Sequence, residues 1–174
     1  MEFTTDKQNI IDRIIEFFKL TTYEISIPVM RDEDLAPQGK TGLIISTLFE
    51  YSLMNHISKM GWYNEFIEIC GESIISVLDS TIFPGVKTKV IDQFASTPLT
   101  LEKRTGNSEG AITGWAFTNS FIPAIDKTTK VAQSVLTPIS DVFQAGQWTY
   151  SPSGFPISIL TGKLAADKVK KQIR

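Results

Sequence analysis

The sequence has 174 residues, 42% of them apolar, 10% aromatic and 21% charged, the balance of a globular domain rather than of a disordered chain. A chain of this length buries roughly 68–70% of its unfolded surface without a disulfide or metal staple. Seventeen Lys and Arg against nineteen Asp and Glu leave a formal charge of −2. With no basic stripe to neutralise phosphates, nucleic acid is not expected as a partner.

One cysteine, Cys70, has no intramolecular partner and suits a reducing compartment. One histidine, His56, rules out histidine-rich metal clusters and leaves any catalytic triad dependent on a single imidazole. The N-terminus, MEFTTDKQ, has no basic leader, and the longest apolar run, GLIIS followed by TLF, is too short to cross a bilayer. The expected location is cytoplasmic, with at most peripheral contact at a membrane surface.

Residues 9–20 (NIIDRIIEFFKL) place Ile10, Ile11, Ile14, Ile15, Phe17 and Phe18 at helical spacing, which predicts an amphipathic helix. Residues 23–30 (YEISIPVM) alternate as a strand until Pro28 demotes the end to an edge. The turn segment RDEDLAPQGKTG follows, and residues 42–49 (GLIISTLF) form a second strand-length run. The simplest assembly of the two is an antiparallel pair. Across residues 61–82, Tyr63, Phe66, Ile67, Cys70, Ile74, Val77 and Leu78 follow the three-and-four rule of a helix that Pro84 and Gly85 stop.

Residues 86–94 (VKTKVIDQF) alternate as a strand, and Ser96 or Thr97 ahead of Pro98 caps a short helix that Gly106 ends. A short apolar segment over residues 110–117 leads into a polar, irregular stretch over 118–138. The last block predicts a short strand at 142–145 ended by Gly146, a loop rich in Ser, Pro and Gly, and a helix from Phe155. In that helix Gly162, Ala165 and Ala166 allow close backbone approach, and Lys168, Lys170 and Lys171 suit the negative end of the dipole.

A polar, glycine-bearing connection between strand and helix presents free amides at a positive helix end, which suits an anionic or electron-rich ligand group. The same glycine equally serves an ordinary turn, and spacing alone leaves both readings open. His56 reads as a solvated or hydrogen-bonded side chain and Cys70 as a small hydrophobe in a helix. The acidic run Asp32, Glu33 and Asp34 reads as a solvated turn rather than a calcium loop. No side chain is assigned a catalytic or metal-ligating role.

The run over residues 144–166, QAGQWTYSPSGFPISILTGKLAA, resembles the C-terminal flavin-binding motif of the phytoene desaturase-like FAD-dependent oxidoreductases, which include carotenoid desaturases and isomerases. Upstream, Leu35-Ala36-Pro37 with Gly39-Lys40-Thr41, then Phe83-Pro84-Gly85, then Thr97-Pro98 through Glu102-Lys103-Arg104 and Gly110 keep that family's order. The family's opening GxGxxG loop is absent from this sequence, and the chain resembles the C-terminal part of such a protein.

The resemblance implies an α+β fold: a mixed, largely antiparallel sheet with flanking helices, plus a terminal strand-loop-helix belonging to an FAD-binding domain. The implied divisions are an N-terminal helix at 1–22, the C-terminal part of a substrate domain at 23–138, and the last strand and helix of the FAD domain at 139–174. The implied cofactor is FAD, with Gly146 near its phosphates or ribityl chain and Gly154, Phe155, Pro156 and Ile157 at the isoalloxazine ring. There Gly154 would let the backbone approach the ring.

The implied reaction is hydride removal from, or isomerisation of, a lipophilic polyene-like substrate, whose tunnel Trp115, Phe117, Phe121, Trp148 and Tyr150 would line if they are not simply core. Without the glycine-rich loop, tight FAD binding by this chain alone is not expected. The alternative is a non-enzymatic, subunit-like module that docks on a separately encoded nucleotide-binding half. Self-association is also expected, because Ile157, Leu160 and Leu164 would lack a covering sheet.

Overall fold

The computed structural model describes residues 3–114, 125 and 127–173. It divides into two compact units, residues 1–100 and 101–174.

The first unit is built on three helices. Asp6 caps α1 (Lys7–Leu20) by accepting from the Asn9 amide, and Ile10, Ile14 and Phe18 fall every fourth residue on its buried face. Two strands, β1 (Glu24–Ser26) and β2 (Ile44–Ser46), pair antiparallel with Ile25 opposite Ile45, so the expected pair forms within an α+β fold. Both are shorter than predicted: Pro28 begins a 3-10 turn over Pro28–Met30, and the chain leaves the ladder after Ser46.

A helix the sequence reading lacked, α2 (Tyr51–Lys59), precedes α3 (Tyr63–Ser80). It buries only Met54 and Ile57, and one such pair in nine residues gives too weak a period to register. Together α1, α2 and α3 enclose Ile10, Ile14, Phe18, Met54, Ile57, Trp62 and Phe66, with Phe49 stacked on Phe18 and edge-on to Phe66. Cys70 packs against this cluster, and burial pushes its thiol pKa up to about 12.

The strand expected at 86–94 is not there. Gly85, at φ +86°, opens a 3-10 turn over Val86–Lys89, and Ile91 and Phe94 stand exposed. An alternating pattern specifies a strand only where a neighbour supplies the ladder. The next expectation holds: Thr97 Oγ1 accepts from the Thr100 amide at the head of α4 (Pro98–Thr105), and Gly106 ends it at φ +71°.

In the second unit the expected strand at 142–145 reduces to a single antiparallel bridge between Leu136 and Phe143, beside a Gln144 N–H to Val135 carbonyl bond of 2.9 Å. A 3-10 turn over Thr128–Gln133 packs on the final helix, α5 (Phe155–Gln172), which begins where the sequence predicts. The interior here is rich in hydroxyls: Val135 and Tyr150 are buried together with Ser134, Thr149, Ser151, Ser153 and Thr161.

A candidate flavin-facing segment at the start of the last helix

Residues 149–153 form a largely buried thread in which only Pro152 is exposed, flanked by half-buried residues 146–148 and Gly154. The Ser151 amide donates to the Ile125 carbonyl at 3.0 Å, and the Ser153 amide donates to the Thr113 carbonyl at 2.7 Å. Tyr150 bridges Ile125 in parallel, and the Ser151–Pro152 peptide is cis. These bonds satisfy a polar backbone that burial would otherwise penalise.

Gly114 clamps the thread from outside. It sits at φ +89°, and a Cβ on it would stand 2.8 Å from the Gln147 carbonyl oxygen and 3.4 Å from that of Tyr150. Only glycine combines that backbone conformation with that approach. The sequence offers no signal for the role beyond the glycine itself.

The thread delivers Gly154 to the N-terminus of α5, where no side chain caps the first turn. Ser158 is the first residue to bond inside the helix, its amide donating to the Gly154 carbonyl at 2.9 Å. Pro156 has no N–H, so the Phe155 and Ile157 amides are the donors left over at a positive helix end. Phe155 is exposed, Pro156 is exposed and Ile157 is half-buried. Beside them Ser153 is buried, and its hydroxyl has no hydrogen-bond partner among the described residues. Sequence reasoning did not single out Ser153, whose only signal is its place in SPSGFP.

Two expectations change here. Gly154 has φ 167°, ordinary extended backbone, and a Cβ would meet only Pro156 Cδ at 4.0 Å. Its backbone does not require glycine. Gly146 is the strained one, at φ +99°, and it ends no strand. Its amide donates to Thr161 Oγ1 at 3.0 Å, which sets it beside the second turn of α5, about 10 Å along the helix from Gly154. The structure thus gathers Gly154, Phe155, Pro156 and Ile157 at one helix end and places Gly146 further along.

The remaining candidates are readily placed. His56 lies on α2, not after a strand, with Nε2 3.1 Å from the Thr4 carbonyl oxygen and its ring 5.6 Å from that of Phe3. Asp32 Oδ1 accepts from the Asp34 amide as the cap of a 3-10 turn over Glu33–Leu35. Among the described residues, no group of three or more His, Cys, Asp or Glu is placed to hold a metal ion, and no helix is long and apolar enough to cross a membrane.

Of the aromatics assigned to a substrate tunnel, Tyr150 is buried and Trp148 half-buried, while Trp115, Phe117 and Phe121 lie outside the described residues. A cavity of about 120 Å³ opens between Leu101, Thr105, Asn107, Ala111, Ile112 and Gln147, too small for a polyene.

Two 4,4'-diapophytoene desaturases (4,4'-diaponeurosporene-forming), of Staphylococcus aureus strain bovine RF122 / ET3-1 and strain Newman, are each 26% identical to this chain over 155 residues. The match covers 86% of the chain and 29% of either relative. The chain is distantly related to carotenoid desaturases. It therefore spans less than a third of the length of the curated relatives it matches. No family model matches it.

Proposed function

We propose that this chain is the C-terminal portion of a flavin-dependent, desaturase-like oxidoreductase whose substrate is a lipophilic polyene. The observation that carries the reading is the uncapped start of α5, reached by a buried thread that leaves the Ser153 hydroxyl without a partner. Distant kinship with the diapophytoene desaturases supports the same reading.

The residues fit the ring end of FAD. A buried, unpaired hydroxyl and leftover amides offer hydrogen bonds to an electron-rich heterocycle, and exposed Phe155 offers an apolar plate beside them. Gly154, Phe155, Pro156 and Ile157 would hold the ring, with Gly146 and Thr161 fixing the chain that leads to it. Bound there, FAD supplies the hydride acceptor.

The protein's own contribution is electrostatic. The positive end of α5 stabilises negative charge at its N-terminus, and no acid or base side chain is required. The pyrophosphate end of the cofactor has no counterpart, because the sequence holds no GxGxxG loop. A nucleotide-binding half must supply it. In this reading residues 139–174 belong to the flavin domain and 23–138 to the substrate domain.

The test is co-expression with the part of the Staphylococcus aureus relative that lies outside the match. The expected result is a complex that retains flavin through gel filtration, while this chain alone is colourless. Flavin held by the relative's portion to the same extent without this chain, or by neither, would overturn the proposal.

A second reading, a docking module without catalysis, draws on the same absent loop. Flavin retained by the complex with no turnover of diapophytoene would favour it.

A further inference from the structure

The apolar surface expected to lie bare on the last helix is largely covered: of Ile157, Leu160 and Leu164 only Leu160 is exposed. Among the described residues the most exposed large apolar side chain is Phe94, at 94%, and it belongs to the segment whose alternating pattern finds no ladder. Residues 87–96 are exposed without interruption, Ile91 at 77%. From Ile91 to Ser96 no amide or carbonyl bonds another backbone group among the described residues, and the Gln93 amide reaches the Asp92 carboxylate beside it.

The segment is nonetheless held in place. At one end the Lys87 amide donates to Asp79 Oδ1 at 3.0 Å, and Lys87 Nζ lies 3.4 Å from Ser76 Oγ. At the other end Gln93 lies over Gly71, where a Cβ would stand 2.8 Å from its Oε1. Gly71, Ser76 and Asp79 all belong to α3, so the strap runs back along that helix with its outer side open.

Resting on the reading of this chain as a C-terminal portion, we propose that residues 90–96 add as a β-strand to a sheet edge supplied by the rest of a longer, desaturase-like protein. The match takes in 29% of either relative and leaves more than two thirds of their length to supply that edge. In an extended chain Val86, Thr88, Val90, Asp92 and Phe94 share one face, and Lys87, Lys89, Ile91 and Gln93 share the other. Val86, Val90 and Phe94 make the first face the one to bury. Val90 already has extended backbone, at φ −67° and ψ 122°, so pairing starts from a partly organised segment.

The bare backbone selects the occupant. Unpaired amides and carbonyls do not enter hydrocarbon, which excludes insertion into a bilayer. A helix laid on the segment satisfies its own backbone and completes no ladder. A second copy brings another lone strand, and a two-stranded ribbon is marginal in water. An edge with a sheet behind it supplies both the missing hydrogen bonds and side chains for Val90 and Phe94.

The test is hydrogen exchange on the full chain, alone and co-expressed with the part of the Staphylococcus aureus relative that lies outside the match. The expected result is fast exchange at residues 91–96 in the chain alone and exchange slowed about tenfold or more in the complex. Ile91→Pro and Asp92→Pro remove amides that bond nothing in the chain alone, and circular dichroism checks that both variants keep its fold. Successive amides point to opposite edges of a strand, so at least one of the two prolines is expected to weaken the complex about tenfold.

Failure to form a complex, a complex in which residues 91–96 exchange as fast as in the chain alone, or indifference to both prolines would overturn the proposal. So would protection that grows with concentration in the chain alone, which would assign the segment to a second copy. Protection without retained flavin would leave the strand standing and remove the flavin reading. Retained flavin with residues 91–96 unprotected would do the reverse.

Discussion

The backbone amide of Gly146 donates to the hydroxyl of Thr161 across 3.0 Å, fastening a left-handed turn to the second turn of the last helix. Thr161 in turn donates to the Ile157 carbonyl, 2.9 Å away, with Ser158 O at 3.1 Å. Its side chain is fully buried, so both bonds are made away from water.

Thr161→Val keeps the volume and removes the acceptor. The Gly146 amide is then stranded, and the expected loss is about 1–3 kcal/mol of stability. Thr161→Ser, which keeps the hydroxyl, should lose less. Urea denaturation of the three proteins measures the order, and a valine variant as stable as the parent would show that the bond contributes nothing.

Three glycines of the second unit should respond differently to alanine. At Gly114 a methyl meets the Gln147 carbonyl oxygen at 2.8 Å on a backbone at φ +89°, so Gly114→Ala combines a clash with strain and should cost well over 1 kcal/mol. Gly146→Ala has space but φ +99°, and should cost about 1 kcal/mol. Gly154→Ala, in extended backbone with open space, should change stability by less than about 0.5 kcal/mol. Equal losses at all three would contradict the geometry.

Cys70 provides a pH test. Burial raises its thiol from the ordinary 9.0 to about 12, so the folded state holds its proton while the unfolded state releases it. The contribution is complete below pH 9 and is lost as pH rises toward 12. Alkylation by iodoacetamide at pH 8 should run on the order of 1000-fold slower in the folded protein than in the denatured one, because the thiolate is the reacting species. Comparable rates would place the thiol at the surface.

At the head of α4, the Tyr63 hydroxyl and Thr97 Oγ1 lie 2.6 Å apart while Thr97 accepts from the Thr100 amide at 3.3 Å. Thr97→Ala removes both the cap and the tyrosine's partner and should cost about 1–2 kcal/mol. Tyr63→Phe keeps the cap and should cost less. A larger loss from the tyrosine variant would assign the stabilisation to the Tyr63 hydroxyl pair rather than to the cap.

Long periodic runs carried their own structure. Helices α1, α3 and α5 are legible from residue spacing, because a helix that buries one face needs nothing beyond its own period, and the two strand runs suggested an antiparallel pair whose register, Ile25 opposite Ile45, only the structure gives. Of the short elements, α4 was legible from Thr97 and Pro98 at its head and Gly106 at its end, whereas α2 and the residues 86–94 were not. Helix α2 stands because Met54 and Ile57 meet α1 and α3, whereas the alternating residues 86–94 find no neighbouring strand.

The candidate site divides the same way. The uncapped helix start at Gly154 follows from local sequence. The strain at Gly146, the clamp at Gly114 and the unpaired Ser153 hydroxyl depend on chain segments more than thirty residues apart in sequence, such as Gly114 and Gln147, or on the packing around a turn. Tertiary packing alone decides which glycine is indispensable and which polar atom is left without a partner, because both depend on what lies opposite in space.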